Sequence, residues 1–294
     1  MTQAQRRTVE VSGAKISLLE WVPEEPAGPT VLLLHGGGAD SAELSWGGVG
    51  AALSDEGFRV VAPDHPGFGQ SPRASRPLTQ EYLVRYVGGL VDELDLDDYV
   101  IGGLSLGGGL TLGHLLDRPA RARGAVLLGS YGIMPRLRDG VLGGAQHFAT
   151  YLLLRSGLLA AMTRSYARSP AAMERGLRAI VRNQAGRTPE LVRAVIAEAA
   201  SGDGMSVFTE WQHDQVLWNR LRTDYTSSLP EIQTPTLLVH GDHDTGVPLA
   251  RARAAAGLLP QAELVPVAGA GHWVQRDRPD VVVPALVDFL RGLG

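Results

Sequence analysis

The chain has 294 residues, 44% hydrophobic and 20% charged, the balance of a globular protein large enough to bury a substantial core and carry an insertion. Its net charge of -4 argues against the clustered basic excess that a nucleic-acid-binding face needs. With no cysteine present, disulfides, thiolate metal sites and cysteine nucleophiles are excluded.

Arg6 and Arg7 are followed by no apolar run of the secretory kind, so a cytoplasmic location is expected. The stretch 151–162 is broken by Arg155, Ser156 and Gly157, short of the roughly 18 apolar residues of a spanning helix, and no membrane partner is expected. Residues 8–11 and 15–21 alternate in polarity about Ser12-Gly13-Ala14 and read as an edge hairpin. Beyond the turn-rich Pro23, Pro26 and Pro29, residues 30–34 are a short apolar run, hence a strand buried on both faces.

That strand ends in His35-Gly36-Gly37-Gly38. Consecutive glycines at a strand end let backbone N–H groups face a ligand, and the reading is half of an oxyanion hole, with Gly37 the first donor and Gly38 the next. A phosphate-binding loop would need a lysine that is missing here. His35 reads as structural. A helix over 44–56 leads to a strand at 58–63 and a turn-rich loop at 64–71, where Asp64 reads as a loop-fixing group. A helix over 79–96, capped by Thr79, then leads into Val100-Ile101-Gly102-Gly103-Leu104-Ser105-Leu106-Gly107.

This last segment is strand, sharp turn, helix. Glycines two positions either side of Ser105 allow the strained turn that lifts its hydroxyl above the strand end, and the N–H of Leu106 opens the next helix toward a substrate oxygen. A further strand at 124–129 completes a strand–helix alternation that implies a doubly wound, mostly parallel α/β sheet with its site at the carboxyl ends of the strands.

From 131 to 229 the alternation stops. Helical patterns at 142–162, 170–183, 189–200 and 208–221, punctuated by Gly143, Gly144, Gly186, Gly202 and Gly204, read as a helical cap inserted into a core formed by 1–130 and 230–294. This insertion carries 12 arginines against 8 acids, a contrast with the acidic core that favours an anionic substrate, although solvated helix faces account for most of those arginines. Strands at 235–240 and 262–267 follow, then a helix from Pro279. Ser105, an acid from the 242–244 loop and His272 thus all follow strand ends, supplying a nucleophile, an orienting acid and a base.

Five segments in order resemble the α/β-hydrolase superfamily: HGGG at 35–38, DHPGFGQS at 64–71, GLSLG at 103–107, GDHDTGVP at 241–248 and GAGHW at 269–273. The resemblance implies that Ser105 is the nucleophile, His272 the general base and then acid, and Asp244, just ahead of Val247-Pro248, the orienting acid. It implies Gly37 and Leu106 as oxyanion donors, with Gly36, Gly38 and Trp273 in the substrate pocket. No metal or organic cofactor is implied, and the partner is a small molecule. A homo-oligomer is compatible with the composition and specified by nothing in it.

Among subfamilies, HGGG and the HWVQ run at 272–275 resemble meta-cleavage-product hydrolases, which split a carbon–carbon bond in vinylogous 1,5-diketones. GLSLGG resembles enol-lactonases and esterases. The chain departs from the first group in having Arg276 where a second tryptophan is usual, and only Arg193, by rough position, answers to that group's cap arginine. The expected order is hydrolysis of a small, largely apolar ester or lactone first, carbon–carbon hydrolysis second, and a ligand receptor or non-hydrolytic enzyme third. Relatives that use an aspartate nucleophile are disfavoured by Ser105.

Overall fold

The computed structural model describes residues 2–201 and 203–294; Met1 and Gly202, one of the glycines expected to punctuate the insertion, lie outside the described residues. Strands β1 (Gln5–Val11) and β2 (Ala14–Trp21) form the expected antiparallel hairpin, turning through Ser12 and Gly13, both at positive φ. The next strands are β3 (Thr30–Leu34), β4 (Val60–Pro63), β5 (Tyr99–Leu104) and β6 (Gly124–Leu128). Helices α1 (Ala42–Asp55), α2 (Gln80–Glu93) and α3 (Leu106–Asp117) connect them. Ser41 and Thr79 cap α1 and α2 by accepting from the amides of Leu44 and Tyr82, as their sequences call for.

Between β6 and β7 (Thr236–Gly241) the described residues form five α-helices, α4 (Gly143–Arg155), α5 (Leu158–Ala167), α6 (Pro170–Ile180), α7 (Pro189–Ser201) and α8 (Gly204–Gln215), and a single 3-10 turn, Leu229–Glu231. Helix α9 (Leu249–Ala256), strand β8 (Ala262–Val267), the single turn α10 (Val274–Asp277) and helix α11 (Pro279–Gly292) complete the chain. Among the described residues no helix is long and apolar enough to cross a membrane.

The sheet order is β1-β2-β4-β3-β5-β6-β7-β8, parallel from β4 onward. Strand side chains alternate between two cores. Leu32, Ile101 and Leu127 join the α2 and α3 residues Leu83, Val87 and Leu110 on one face. Val31, Val100 and Val126 join Trp46, Val49 and Leu286 of α1 and α11 on the other. Because β3 is flanked by β4 on one side and β5 on the other, the connections leaving β3 and β5 diverge to opposite faces and open a crevice at their carboxyl ends. Gly36 to Gly38 and Ser105 lie there.

Two departures from the expected elements have local causes. The pattern over 142–162 is two helices, because Gly157 adopts a left-handed conformation at φ 74° and turns the chain between them. Helix α9, LARARAAA, was not expected; so short and arginine-rich a stretch carries little apolar periodicity, and it is held by burying Ala252 and Ala255 against the sheet.

Candidate active site

Ser105 sits between β5 and α3 at φ 52° and ψ -112°, a conformation that costs a non-glycine residue about 1–3 kcal/mol. Its backbone is held on both sides: its N–H donates to Leu128 O at 2.9 Å, and its carbonyl accepts from Tyr131 N at 2.9 Å and Gly109 N at 3.1 Å. The flanking glycines are steric necessities. A Cβ on Gly103 would run into the Gly107 backbone, and one on Gly107 into the carbonyl of Leu34 at the end of β3. As the first residue of α3, Leu106 has no intrahelical acceptor for its N–H.

Asp244 and His272 arrive from the ends of β7 and β8. Asp244 is 9% exposed; its Oδ1 accepts from the amides of Gly246 at 2.7 Å and Val247 at 2.9 Å, while Oδ2 lies 2.8 Å from His272 Nδ1. Burial pushes the Asp244 carboxyl up, but the charge and hydrogen bond of His272, with His240 and the Val247 amide, outweigh it and hold the acid below its ordinary value. With His272 Nδ1–H donating to this carboxylate, Nε2 is left as the basic nitrogen. Asp242, the other acid of the loop, is exposed and accepts from Gly269 N at 2.8 Å, bracing the neighbouring turn. His240 is buried with Nε2 2.8 Å from Val247 O and 3.3 Å from Asp244 Oδ2.

In the glycine turn, the Gly36 N–H is taken by Asp40 Oδ2 at 2.7 Å, which leaves the Gly37 amide as the next donor along the backbone. Phe208 of α8 lies against Gly37 so closely that a Cβ there would overlap its ring. His35 is fully buried, its Nδ1–H donating to Gly36 O at 2.7 Å and its Nε2 accepting from His65 N at 2.9 Å. That tautomer is neutral, and burial lowers its pKa to about 3. Asp64 fixes its loop by accepting from Ala42 N at 2.9 Å and Gln70 N at 3.0 Å, and it pairs with Arg6 at 2.7 Å.

Ser105, His272, Trp273 and Gly36 to Gly38 all line one cavity of about 560 Å³. Leu106 and Asp244 are not among its lining residues. The far side comes from the helices between β6 and β7, with Met162, Met173, Leu177, Met205 and Phe208 supplying apolar surface. Among the described residues, no acidic or basic side chain other than His272 lines it; Gln212, Thr163 and Tyr166 are the remaining polar ones besides Ser105. Arg193 is outside the cavity, 69% exposed and paired with Glu190 at 2.7 Å, so rough position misplaced it. Arg164 and Arg168 line an adjoining hollow of about 340 Å³ that shares Thr163 and Met205 with the cavity. Sequence reasoning missed Gln212 and Phe208. Their i, i+4 spacing on one helix was the available signal, and only tertiary packing turns that face inward.

A family model described as the alpha/beta hydrolase fold matches residues 29–279, and the chain belongs to that family. The protein is an α/β-fold hydrolase. A 2-hydroxymuconate semialdehyde hydrolase from Pseudomonas putida is 28% identical to it over 272 residues, spanning 91% of this chain and 89% of the relative. The solved structure of a meta-cleavage product hydrolase from Pseudomonas fluorescens IP01 superposes with a TM-score of 0.79 at 23% identity, covering 98% of each chain. A Bacillus subtilis carboxylesterase superposes with a TM-score of 0.73 at 22% identity, covering 98% of this chain and 92% of its own. At those identities the two structural likenesses speak for the fold.

Proposed function

We propose that the protein is a serine hydrolase that works through an acyl-enzyme on Ser105, with residues 131–229 acting as a cap over the cavity. The observation that carries this reading is the His272–Asp244 hydrogen bond of 2.8 Å beside a cavity that Ser105 also lines. His272 takes the Ser105 proton as the oxygen attacks a carbonyl carbon. The Gly37 and Leu106 amides hold the oxyanion, which collapses with proton return from His272 to the leaving atom. A water activated by His272 then releases the acyl group.

For the bond that breaks, the relatives reverse the order expected from sequence. The name of the 28% identical relative supports carbon–carbon hydrolysis of a 2-hydroxy-6-oxo-dienoate type of compound ahead of ester hydrolysis. Such a substrate must first be protonated to its keto form, and its carboxylate would lie toward Arg164 and Arg168. The second reading, a neutral ester or lactone, is favoured by one specific feature: among the described residues, no lysine or arginine lines the cavity to balance a buried carboxylate.

Steady-state assays of a ring-cleavage dienoate beside a short-chain p-nitrophenyl ester series separate the two. The carbon–carbon reading expects rapid loss of the dienoate chromophore and slow ester turnover. Fast ester turnover with the dienoate inert would replace it with the second reading.

A further inference from the structure

Asp40 is a buried carboxylate for which the chemistry above has no use. Its side chain is fully enclosed, which is costly for a charge unless donors and a countercharge surround it. Both are present. Oδ2 accepts from Gly36 N and from Ser45 Oγ, each at 2.7 Å, and Oδ1 accepts from Ser41 N at 2.8 Å. Burial pushes the acid up to about 6, against the pull of those three bonds and of the Arg276 charge.

Arg276 is partly buried and lies four residues beyond His272, on α10. Its Nε donates to Leu44 O at 2.6 Å and an Nη to Glu43 O at 2.9 Å, which fixes it against the first turn of α1. This is the position at which the meta-cleavage resemblance leads one to expect tryptophan, so the charge belongs to this chain; it acts on Asp40, and on Glu43 beside it, through space without a direct ion pair. Gly36 is wedged between that acid and the nucleophile: a Cβ there would stand 2.9 Å from Asp40 Oδ2 and 3.6 Å from Ser105 Cβ.

The 36–38 turn has three glycines in succession and therefore little intrinsic stiffness. A charge-assisted bond at Gly36 anchors one end of it. A bare carboxylate so near the Ser105 site would, however, repel an anion forming there; Arg276 supplies the balancing charge.

We propose that Asp40, balanced by Arg276, is a positioning residue that fixes the glycine turn so that the Gly37 N–H is aimed before charge develops on the substrate oxygen. The proposal rests on the acyl-enzyme reading of Ser105. Preorganised donors of this kind act on the transition state, so losing the anchor lowers kcat and leaves KM nearly in place.

The test compares wild type with Asp40→Asn, Arg276→Gln and the double variant. Active sites are counted with a fluorophosphonate label, and kcat per labelled site, KM and affinity for a trifluoromethyl ketone, which forms a tetrahedral oxyanion adduct, are measured. Asp40→Asn is expected to lose about tenfold in kcat per labelled site, with KM within about twofold and ketone affinity falling in parallel with kcat. Arg276→Gln shifts the same way, and the double variant is no worse than the poorer single one because the two act as a pair. If Asp40→Asn does not fold, Ser45→Ala removes one donor to Oδ2 and should cost about two- to threefold by the same readouts. Unchanged kcat per labelled site and unchanged ketone affinity, with only melting temperature or labelled fraction reduced, would show a merely structural role and overturn the proposal. Absence of label on folded wild type would instead overturn the acyl-enzyme reading beneath it.

Discussion

The turns that end β3, β5 and β7 and the helices between β6 and β7 face each other across one cavity, yet they are built in opposite ways. In the turns, polar side chains are enclosed and bonded to backbone: Asp40, His35, His240 and Asp244 are all buried, and each has a partner within a few residues. In the helices, Leu152 on α4 and Leu158 and Met162 on α5 stand about half exposed, Leu142 just before α4 still more so, and Met162, Met173 and Met205 supply part of the cavity wall. Methionine is flexible and adapts to what it touches. The difference separates two jobs. On the proposed acyl-enzyme reading, the turns would fix where a bond is attacked and the helices would select what is brought there.

Breaking the turns should therefore be catastrophic for turnover on any substrate. Ser105→Ala should lower kcat by roughly 10⁴–10⁶ on both substrate classes while the melting temperature is held or raised, since alanine keeps the backbone bonds. Asp244→Asn should cost on the order of 10⁴ in kcat, because the amide can no longer fix the His272 tautomer, whereas Asp242→Asn, on the exposed side of the same loop, should stay within about twofold. Equal losses at the two positions would remove the distinction that their different contacts imply.

The turns should also fail with acid. His35 is neutral in the fold with a pKa near 3, against 6.5 when unfolded, so the unfolded chain binds the extra proton first. Its contribution to stability is complete above about pH 6.5 and is lost as pH falls toward 3. Urea midpoints should accordingly drop between pH 7 and pH 4, and His35→Gln should flatten that drop. A smaller effect is expected at Gly37, where an added methyl must displace Phe208 or turn the amide: Gly37→Ala should cost about 10² in kcat.

Changes in the helices should instead discriminate between substrates. Replacing Arg164 and Arg168 with glutamine should raise KM for a dienoate about fivefold and leave a neutral ester within about twofold, which would sharpen the assignment of those arginines to an anionic end group. Equal effects on both substrates would place the two arginines outside recognition.

The same contrast explains what could be read from sequence. The strands and their terminal turns were legible because each is a local signal: an apolar run of strand length, then glycines and polar groups whose partners are near in sequence. Asp242 and Asp244 could not be separated by residue type or spacing, and the resemblance alone chose between them; in the fold one reaches His272 and the other braces Gly269. Gln212 and Phe208 were illegible as cavity residues because the inward face of α8 is set by packing against distant helices. Arg193 shows the converse, a plausible position in the chain that the fold turns to solvent. Asp40 was missed although its hydrogen-bond partners are near in sequence, because only the fold encloses it and brings the charge of Arg276, 236 positions away, to bear on it.

The most direct test of the account is to mix the protein with a p-nitrophenyl ester in a rapid-quench instrument and weigh the intact chain within the first turnover. The account predicts a burst of nitrophenol matching the active-site concentration and one acyl group, mapped to the peptide carrying Ser105 and missing in Ser105→Ala. Turnover without a burst, an unmodified chain, and undiminished activity in Ser105→Ala would contradict it.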